Sequence, residues 1–337
     1  MGMEMNFVYV RVYKNKKKDG AKNIGHVNLD VDPPGYNHSR NSNNPWCREV
    51  IIRNTEYGVM SSFEVNSLFN VKGKVVLVTG GSRGIGKMIA AGFVKNGAKV
   101  YITSRSQTEC ESTAKELSSG TGAGAGTCIA IPADLQELSE VERLVEEVSK
   151  REKMLHVLVN NAGAAWGDPI DTYPDSAFSK LLILNLQRVF TLTQKCLPLL
   201  REAALEGGRD GETWRDPARI INIGSIEAIR IQPHETFAYS ASKAGMHHLS
   251  RHLAGRLGWE GITSNTIACG PFESKMMAHN LKHFRDAIIE SIPLTRIGTP
   301  EDVAGTALFL SSRAGSYVNG ATITLDGGSV VTTRAKL

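Results

Sequence analysis

Tyr239 and Lys243 are the two residues in this sequence whose spacing most directly indicates chemistry. Four positions separate them, so on a helix both side chains lie on one face, about one turn apart. A phenol ordinarily has a pKa of about 10 and transfers protons slowly at neutral pH. The ammonium group of Lys243 and the positively charged ring of a bound ligand would lower that pKa. This predicts that Tyr239 acts as a general acid.

A glycine-rich turn, TGGSRGIG at residues 79–86, indicates a second kind of site. Glycine loses more backbone entropy than any other residue, so a cluster of glycines indicates a tight bend or a close approach to the backbone. A β-branched run precedes the turn, and a helix pattern with Ile85, Ile89 and Phe93 on one side follows it. Such a turn and the helix N-terminus behind it bind phosphate groups, so we predict a pyrophosphate site here.

The elements that must position these residues follow an alternating pattern. Short β-branched runs, separated by helical patterns, lie at residues 74–79, 99–104, 128–133, 156–161, 219–225, 264–268 and 321–327. This alternation predicts an α/β protein with a single-domain Rossmann fold and a doubly wound, seven-stranded parallel sheet. Because the runs are apolar throughout, we expect helices on both faces.

Two local features are predicted between these runs. Ser139 and Glu142 have the spacing of a capping box at the start of a helix. The Gly/Ala/Thr run at 120–127 and the polar stretch at 206–216 are predicted to be surface loops without chemistry.

Four motifs resemble those of the short-chain dehydrogenase/reductase family, and they occur in its order. They are TGxxxGxG at 79–86, NNAG at 160–163, Ser225, and YxxxK at 239–243. The resemblance covers about residues 68–328. The stretches LVTGGSRGIGKMIA, NNAGAAWGDPIDTYP and RIINIGS are also similar to the β-ketoacyl reductase-like subgroup associated with bacterial rhamnolipid synthesis.

The resemblance implies a catalytic set of Asn185, Ser225, Tyr239 and Lys243. Tyr239 would protonate a carbonyl oxygen as hydride reaches the carbon, and the Ser225 hydroxyl would hold the developing oxyanion. Lys243 would lower the pKa of Tyr239 and bond the nicotinamide ribose. Asn185 would kink its helix and hold a water that passes protons to Lys243. The predicted cofactor-binding residues are Gly80, Ser82, Arg83, Gly84, Ile85, Gly86, Arg105, Asp134, Asn161, Ala162, Gly163, Tyr239, Lys243 and Gly270.

The residues after the second strand predict the choice of cofactor. An NAD site usually has an acid there to bond the ribose 2′-hydroxyl, but this chain has Ser104 followed by Arg105. Arg83 and Arg105 carry forked donors that suit a 2′-phosphate, so we predict NADPH rather than NADH. The resemblance implies that Asp134 contacts the adenine; the alternative is an acid that only stabilises a helix N-terminus.

One motif departs from the family pattern. Cys269-Gly270-Pro271 stands where the family usually has Pro-Gly, which weakens the assignment of Ser274 to the cofactor site. No base adjoins Cys269 in sequence, so we expect it to pack rather than react. His279 and His283 are four apart without a third ligand, and we predict no metal site.

The segment 272–292 predicts a mobile flap over an apolar or acyl substrate. The leading functional prediction is reduction of a ketone, of 3-oxoacyl or secondary-metabolite type, to a secondary alcohol. Two alternatives stay open: reduction of a 2-enoyl thioester, and a non-catalytic NADP-sensing scaffold. The identity of the substrate stays open as well.

Composition excludes several other classes of protein. Of the net charge of +5, residues 1–59 carry +3, with nine Lys/Arg against six Asp/Glu, so we predict that the folded part does not bind nucleic acid. No apolar run is long enough for a membrane span. Five scattered cysteines indicate a reducing compartment.

The two ends of the chain carry their own predictions. Residues 1–59 are predicted to be a poorly ordered or spurious extension, with Met60 as the natural start of the 60–337 domain. Ala335-Lys336-Leu337 is similar to the peroxisomal address read by an import receptor; the alternatives are a frayed terminus and a cytoplasmic protein. The family resemblance implies a homotetramer.

Overall fold

A sheet of seven parallel strands forms the centre of the part of the chain that the structure, a computed structural model, describes: residues 63–119, 125–232 and 234–333. All strands in these residues are β1 Val75–Thr79, β2 Lys99–Thr103, β3 Thr127–Ala130, β4 Val157–Asn160, β5 Arg209–Asp210, β6 Thr213–Trp214, β7 Ala218–Ser225, β8 Ile262–Cys269 and β9 Thr322–Leu325. The sheet has the order β3-β2-β1-β4-β7-β8-β9, and β5 and β6 form a separate hairpin. The predicted fold class is confirmed.

Helices cover both faces of the sheet, as predicted. They are α1 Val65–Leu68, α2 Gly84–Lys95, α3 Gln107–Ser119, α4 Leu138–Arg151, α5 Asp175–Leu182, α6 Arg188–Glu206, α7 Phe237–Leu257, α8 Ala278–Glu290 and α9 Pro300–Ser311. A π-helical turn, Ile183–Gln187, connects α5 to α6. This alternation of strand and helix is what places the loops after the strands at one edge of the sheet.

Two apolar cores lie on opposite sides of the sheet because side chains alternate along each strand. Val76 and Val78 of β1 belong to the core beneath α2 and α9, together with Phe93 and Val303. Leu77, between the two valines, belongs to the core beneath α4 and α6. Burying one such side chain contributes about 1.5–3 kcal/mol, so both faces hold the strand ends in fixed positions.

The predicted capping box at Ser139 and Glu142 is wrong. Helix α4 begins earlier, at Leu138, and its N-cap is Glu137, which makes no side-chain cap hydrogen bond. Ser139 therefore lies inside the first turn, and Glu142 accepts a hydrogen bond from Nζ of Lys195 on α6 instead. Sequence spacing alone does not locate the first residue of a helix.

The polar stretch at 206–216 differs from the predicted loop, because β5 and β6 form a hairpin within it. The ring of Trp214 covers Gly261, where an added Cβ would lie 2.5 Å from the ring. The third predicted strand is also shorter than its apolar run and ends at Ala130, ahead of Pro132, which has no N–H to donate.

Several predictions concern residues that the structure does not describe. These are the extension 1–59 with Met60, residues 120–124 of the Gly/Ala/Thr run, and the terminal residues 335–337. They stay predictions. In the three described ranges, none of the helices has the length and apolar character needed to cross a membrane.

Candidate active site

The glycine turn connects the carboxyl end of β1 to α2. Gly80 and Gly84 have φ angles of 62° and 54°, a region that favours glycine. A Cβ at Gly86 would lie 2.3 Å from the carbonyl oxygen of Gly80, so only glycine fits there. The glycines therefore bend the chain and bring the N-terminus of α2 to the crevice between β1 and β4, where open α/β sheets bind ligands.

Thr79 and Asn161 hold this turn against the end of β4. Oγ1 of Thr79 accepts hydrogen bonds from the backbone N–H groups of Asn161 and Ala162, at 2.8 and 2.9 Å. Nδ2 of Asn161 donates to the carbonyl oxygens of Thr79 and Gly80, at 2.8 and 3.2 Å. Asn161 and Ala162, predicted as cofactor contacts, thus also fix the shape of the turn.

Two more predicted cofactor residues flank the turn. Ser82 is buried, and its carbonyl oxygen accepts a hydrogen bond from Oγ1 of Thr113 on α3 at 2.8 Å. Ile85 is half-buried and packs against the core beneath α2. Both residues support the turn through contacts within the protein, and Ile85 lies in the first turn of α2.

Arg83 and Arg105 are both exposed beside this turn. Arg105 follows Ser104, directly after β2, and Arg83 precedes α2. Nη1 of Arg83 lies 3.1 Å from Oε2 of Glu109 on α3. Because an exposed ion pair contributes only about 0–1 kcal/mol, this contact holds the guanidinium at the turn without preventing a stronger anion from binding.

Asp134 and Gly270 lie in the loops after β3 and β8. Oδ1 of Asp134 accepts a hydrogen bond from the backbone N–H of Gln136 at 3.0 Å, which closes the turn before α4. The backbone N–H of Gly270 donates to the carbonyl oxygen of Leu325 at 2.9 Å. Both positions are at the carboxyl edge of the sheet, where the sequence predicts them.

Tyr239 and Lys243 lie on the buried face of α7, as the spacing predicts. Nζ of Lys243 donates to the carbonyl oxygen of Ile223 at 2.7 Å and lies 5.8 Å from the centroid of the Tyr239 ring. Burial lowers the pKa of Lys243 to about 8. This lysine therefore releases its proton more easily than a lysine in water does.

The pKa of Tyr239 is raised rather than lowered. Burial is the largest influence on it, and the hydrogen bond with Ser225 opposes the rise while the charge of Glu227 adds to it. The folded chain alone thus does not produce the decrease that the sequence predicts. A tyrosine in this environment is protonated at neutral pH, so it has a proton to donate.

Ser225 is the last residue of β7 and lies beside Tyr239. Its Oγ accepts a hydrogen bond from the backbone N–H of Glu227 at 3.2 Å. The hydroxyl hydrogen is therefore available to donate to an oxygen atom placed between Ser225 and Tyr239.

Asn185 lies in the π-helical turn between α5 and α6, which agrees with the predicted distortion of its helix. Oδ1 accepts from the backbone N–H of Ala164 at 3.0 Å, while Nδ2 donates to the carbonyl oxygen of Ala164 and to Oγ of Ser242. A Cβ on Gly163 would lie 3.2 Å from this Oδ1 and 3.7 Å from Nζ of Lys243. The predicted catalytic set is therefore gathered at one place.

Comparison with known proteins identifies the family. Residues 80–330 match the family described as enoyl-(acyl carrier protein) reductase. The rhamnolipids biosynthesis 3-oxoacyl-(acyl-carrier-protein) reductase of Pseudomonas aeruginosa is 42% identical over 262 residues, which cover 77% of this chain and 97% of that protein. The chain belongs to the short-chain dehydrogenase/reductase family.

Other members of the family agree in sequence and in structure. A 3-oxoacyl-(acyl-carrier-protein) reductase of a Synechocystis species is 33% identical over 260 residues, 77% of this chain and 97% of that protein. Among solved structures, the NADP active-site complex of Pseudomonas aeruginosa RhlG has a TM-score of 0.72 and 41% identity, and covers 78% of this chain and 99% of that one. The predicted resemblance is confirmed.

In this short-chain dehydrogenase/reductase, the predicted flap is anchored at both ends. Phe272 and Ile292 are buried, whereas no residue of α8 between them is. Met276 and Phe284 remain 48% and 56% exposed. The flap therefore offers apolar side chains that the rest of the described chain does not cover.

Ser274 and Cys269, the residues around the departure from the family pattern, both lie near the site. A Cβ on Gly84 would be 3.2 Å from Cβ of Ser274, so the flap reaches the glycine turn. Cys269 is buried, and burial raises the pKa of its thiol to about 12. The thiol is protonated at neutral pH, which agrees with the predicted packing role.

His279 and His283 lie one turn apart on α8, with ring centroids 4.7 Å apart. Among the described residues, no three His, Cys, Asp or Glu side chains are close enough together to hold a metal ion.

Two contributors to the site have no sequence signal of their own. Thr79 is visible only as the first letter of the turn motif. Glu227 accepts hydrogen bonds from the hydroxyls of Thr236 and Ser240, at 2.6 and 3.2 Å, and so ties the loop after β7 to the start of α7. An acid two residues after a serine matches no motif, so only the folded chain reveals this contact.

Proposed function

We propose that this chain is an NADPH-dependent reductase that converts a ketone of the 3-oxoacyl type to a secondary alcohol. The observation that carries the proposal is the grouping of Ser225, Tyr239 and Lys243, all buried, at the carboxyl edge of the sheet beside the glycine turn. The names of the Pseudomonas and Synechocystis relatives support a 3-oxoacyl substrate.

The cofactor fits residues that are present. The bend at Gly80 and Gly84 exposes the N-terminus of α2 to a pyrophosphate. No acidic residue follows β2 directly, and Arg83 and Arg105 supply positive charge for a 2′-phosphate. The similar RhlG structure, an NADP active-site complex, supports the same cofactor.

The chemistry of the side chains follows from their protonation. When bound, NADPH would supply the hydride that the carbonyl carbon receives. The hydroxyl of Tyr239 donates its proton to the carbonyl oxygen, and Oγ of Ser225 donates a hydrogen bond to the same oxygen as negative charge develops. Lys243, whose pKa burial lowers to about 8, holds a proton at Nζ that can replace the one lost from Tyr239. One hydride and one proton convert the ketone to an alcohol.

Apolar surroundings support an acyl substrate. The ring of Tyr173 packs edge to face against the rings of Phe178 and Phe237, with centroids 6.3 and 5.7 Å apart. Tyr173 also packs against the apolar cluster that contains Tyr239. Together with Met276 and Phe284 of the flap, they offer rings and methylene groups rather than charges to a ligand.

A second candidate is reduction of a 2-enoyl thioester, which the description of the matching family favours. In that reaction hydride adds to the β-carbon of the C=C bond, negative charge develops on the thioester oxygen as an enolate, and the proton is finally bound to the α-carbon rather than to an oxygen. The intact pair of Ser225 and Tyr239 favours the ketone. The third possibility, a scaffold that binds NADPH without turnover, requires no such pair.

One assay separates these candidates. Purified full-length protein is mixed with NADPH and with acetoacetyl-CoA, longer 3-oxoacyl-CoA thioesters, matched 2-enoyl-CoA thioesters or free ketones. We expect NADPH oxidation with the 3-oxoacyl compounds. Oxidation only with the enoyl compounds would establish the second candidate, and tight NADPH binding without turnover on any compound would establish the scaffold.

We further propose a homotetramer in which the helices carrying Asn185 and Tyr239 pack across a two-fold axis. An exposed aromatic side chain supports this: Phe190 on α6 is 44% exposed. We expect light scattering at micromolar concentration to give four times the chain mass. The mass of a single chain would contradict the proposal.

We also propose a peroxisomal location, supported by Ala335-Lys336-Leu337 in the sequence alone. A fluorescent protein fused to the N-terminus should mark peroxisomes, because the terminal carboxylate stays free for a receptor. Deletion of Leu337 should return the signal to the cytosol. A diffuse signal from the intact fusion would exclude the address.

A further inference from the structure

Strand β7 continues beyond its neighbour β4 at the carboxyl edge of the sheet. Asn160, the last residue of β4, is opposite Asn222, whereas β7 continues to Ser225. On the other side β8 accompanies β7 to its end, with Cys269 opposite Ser225. The backbone groups at the end of β7 that face the β4 side therefore need partners from elsewhere in the protein.

Two side chains of α7 supply these partners. Nζ of Lys243 donates to the carbonyl oxygen of Ile223 at 2.7 Å, and the backbone N–H of Ser225 donates to Nε2 of His247 at 3.4 Å. The backbone N–H and C=O groups of alternate residues point toward the same neighbouring strand. The contacts of Ile223 and Ser225 therefore both lie on the side of β7 that faces β4. Tyr239, Lys243 and His247 are spaced four apart, so one face of α7 supplies the acid, the lysine and this acceptor.

The absence of a side chain at Gly224 leaves room for the imidazole ring of His247. A Cβ at this residue would lie 2.1 Å from Nε2 of His247 and 2.8 Å from Cγ2 of Thr266. The ring therefore lies directly against the backbone that precedes Ser225. Any side chain at this position would move the ring away from the Ser225 N–H.

His247 is in the protonation state that an acceptor needs. It is 5% exposed, and burial, followed by the positive charges of Lys243 and Arg251, lowers its pKa to about 4. At neutral pH the ring is uncharged. Because Nε2 accepts a hydrogen bond, the ring proton is on Nδ1.

We propose that His247 is a positioning residue for Ser225: its Nε2 holds the backbone N–H of Ser225 and so fixes the hydroxyl that contacts the substrate oxygen. The proposal rests on the proposed ketone reduction. Oγ of Ser225 is held separately by the N–H of Glu227. The backbone N–H and Oγ of Ser225 are both held, and His247 lies on the same helix as Tyr239. Ser225 therefore keeps a fixed position relative to Tyr239.

Two variants of His247 separate this role from packing. His247→Leu fills the space without an acceptor, whereas His247→Gln places an amide oxygen near the position of Nε2. His248→Leu is the matched control, because His248 is the next residue of α7 and is exposed. All three proteins are compared with wild type by thermal unfolding, so that a loss of stability is measured separately.

Kinetics are measured with NADPH and the ketone that gives the highest wild-type turnover in the panel above. We expect His247→Leu to lower kcat by roughly tenfold to a hundredfold, because a catalytic group displaced by about 1 Å loses rate on that scale. The KM for NADPH should stay at the wild-type value, since Ser225 holds the ketone oxygen. His247→Gln should recover most of kcat. Equal kcat in the Leu and Gln variants would overturn the proposal.

Amide hydrogen exchange tests the contact without any substrate. The Ser225 amide should exchange faster in His247→Leu than in wild type, and His247→Gln should restore its protection. Equal exchange in all variants would overturn the proposal. A wild-type protein that reduces no ketone would overturn the proposed function instead, and the exchange rates would still decide whether His247 holds Ser225.

Discussion

Tyr239→Phe is expected to lose ketone reduction while it binds NADPH as tightly as the wild type. The ring remains, so the packing with Leu181 and Ala238 remains, and Lys243 keeps its hydrogen bond to the Ile223 carbonyl. Only the transferable proton is removed. A general acid contributes roughly 10²- to 10⁴-fold in rate, so kcat should fall by at least the lower figure.

The matched control for this variant is Tyr317→Phe. Tyr317 is fully exposed, and its loss of a hydroxyl should change neither turnover nor binding. Turnover comes from the loss of NADPH absorbance, and binding from quenching of protein fluorescence on addition of NADPH. Retained ketone reduction in Tyr239→Phe would mean that another group donates the proton. Lost NADPH binding would mean that the hydroxyl holds the cofactor.

The burial of Tyr239 and Lys243 explains why the tyrosine donates the proton and the lysine replaces it. Burial disfavours the charged form of each, so it raises the pKa of the tyrosine and lowers that of the lysine to about 8. The tyrosine keeps its proton until an oxygen with developing negative charge is in place. The lysine gives up its proton more readily than usual, so it can restore the tyrosine afterwards.

Much of this site could be predicted because local sequence determines it. The turn at Gly80 and Gly84 needs backbone angles that glycine adopts most easily, and this need is visible in sequence. The four-residue spacing of Tyr239 and Lys243 fixes their common face on a helix. The strands could be located because their apolar runs mark where the chain crosses the core, but the end of β3 could not, since its run continues past Ala130.

The contacts between distant segments could not be predicted in the same way. Asn161 with Gly80, Asn185 with Ala164, and His247 with Ser225 join residues that are at least 21 positions apart. Each depends on the register between two elements and on a close approach, and neither quantity is present in a local pattern. The effect of burial, which raises the pKa of Tyr239 in the folded chain alone, could not be predicted for the same reason, since burial is a property of the whole fold.

The pairing of Arg83 with Glu109 bears on the choice of cofactor. Glu109 lies on α3, four residues beyond Arg105, and no sequence pattern connects it with the glycine turn. Arg83 and Glu109 have about half of their side-chain surfaces exposed, so solvent weakens their attraction. A phosphate carries more charge than a carboxylate and accepts two hydrogen bonds from one guanidinium, so it should displace Glu109.

Replacement of both Arg83 and Arg105 by Gln is therefore expected to remove the preference for NADPH. A charge-assisted hydrogen bond contributes about 1.5–3 kcal/mol, which corresponds to a loss of roughly tenfold or more in NADPH affinity for each arginine. NADH has no 2′-phosphate, so its affinity should not change. Arg256→Gln is the control, because Arg256 forms a comparable exposed ion pair with Glu260 at the end of α7. If titrations give the wild-type ratio of NADPH to NADH affinity in the double variant, the two arginines do not bind the 2′-phosphate. Ser104 then becomes the residue to test.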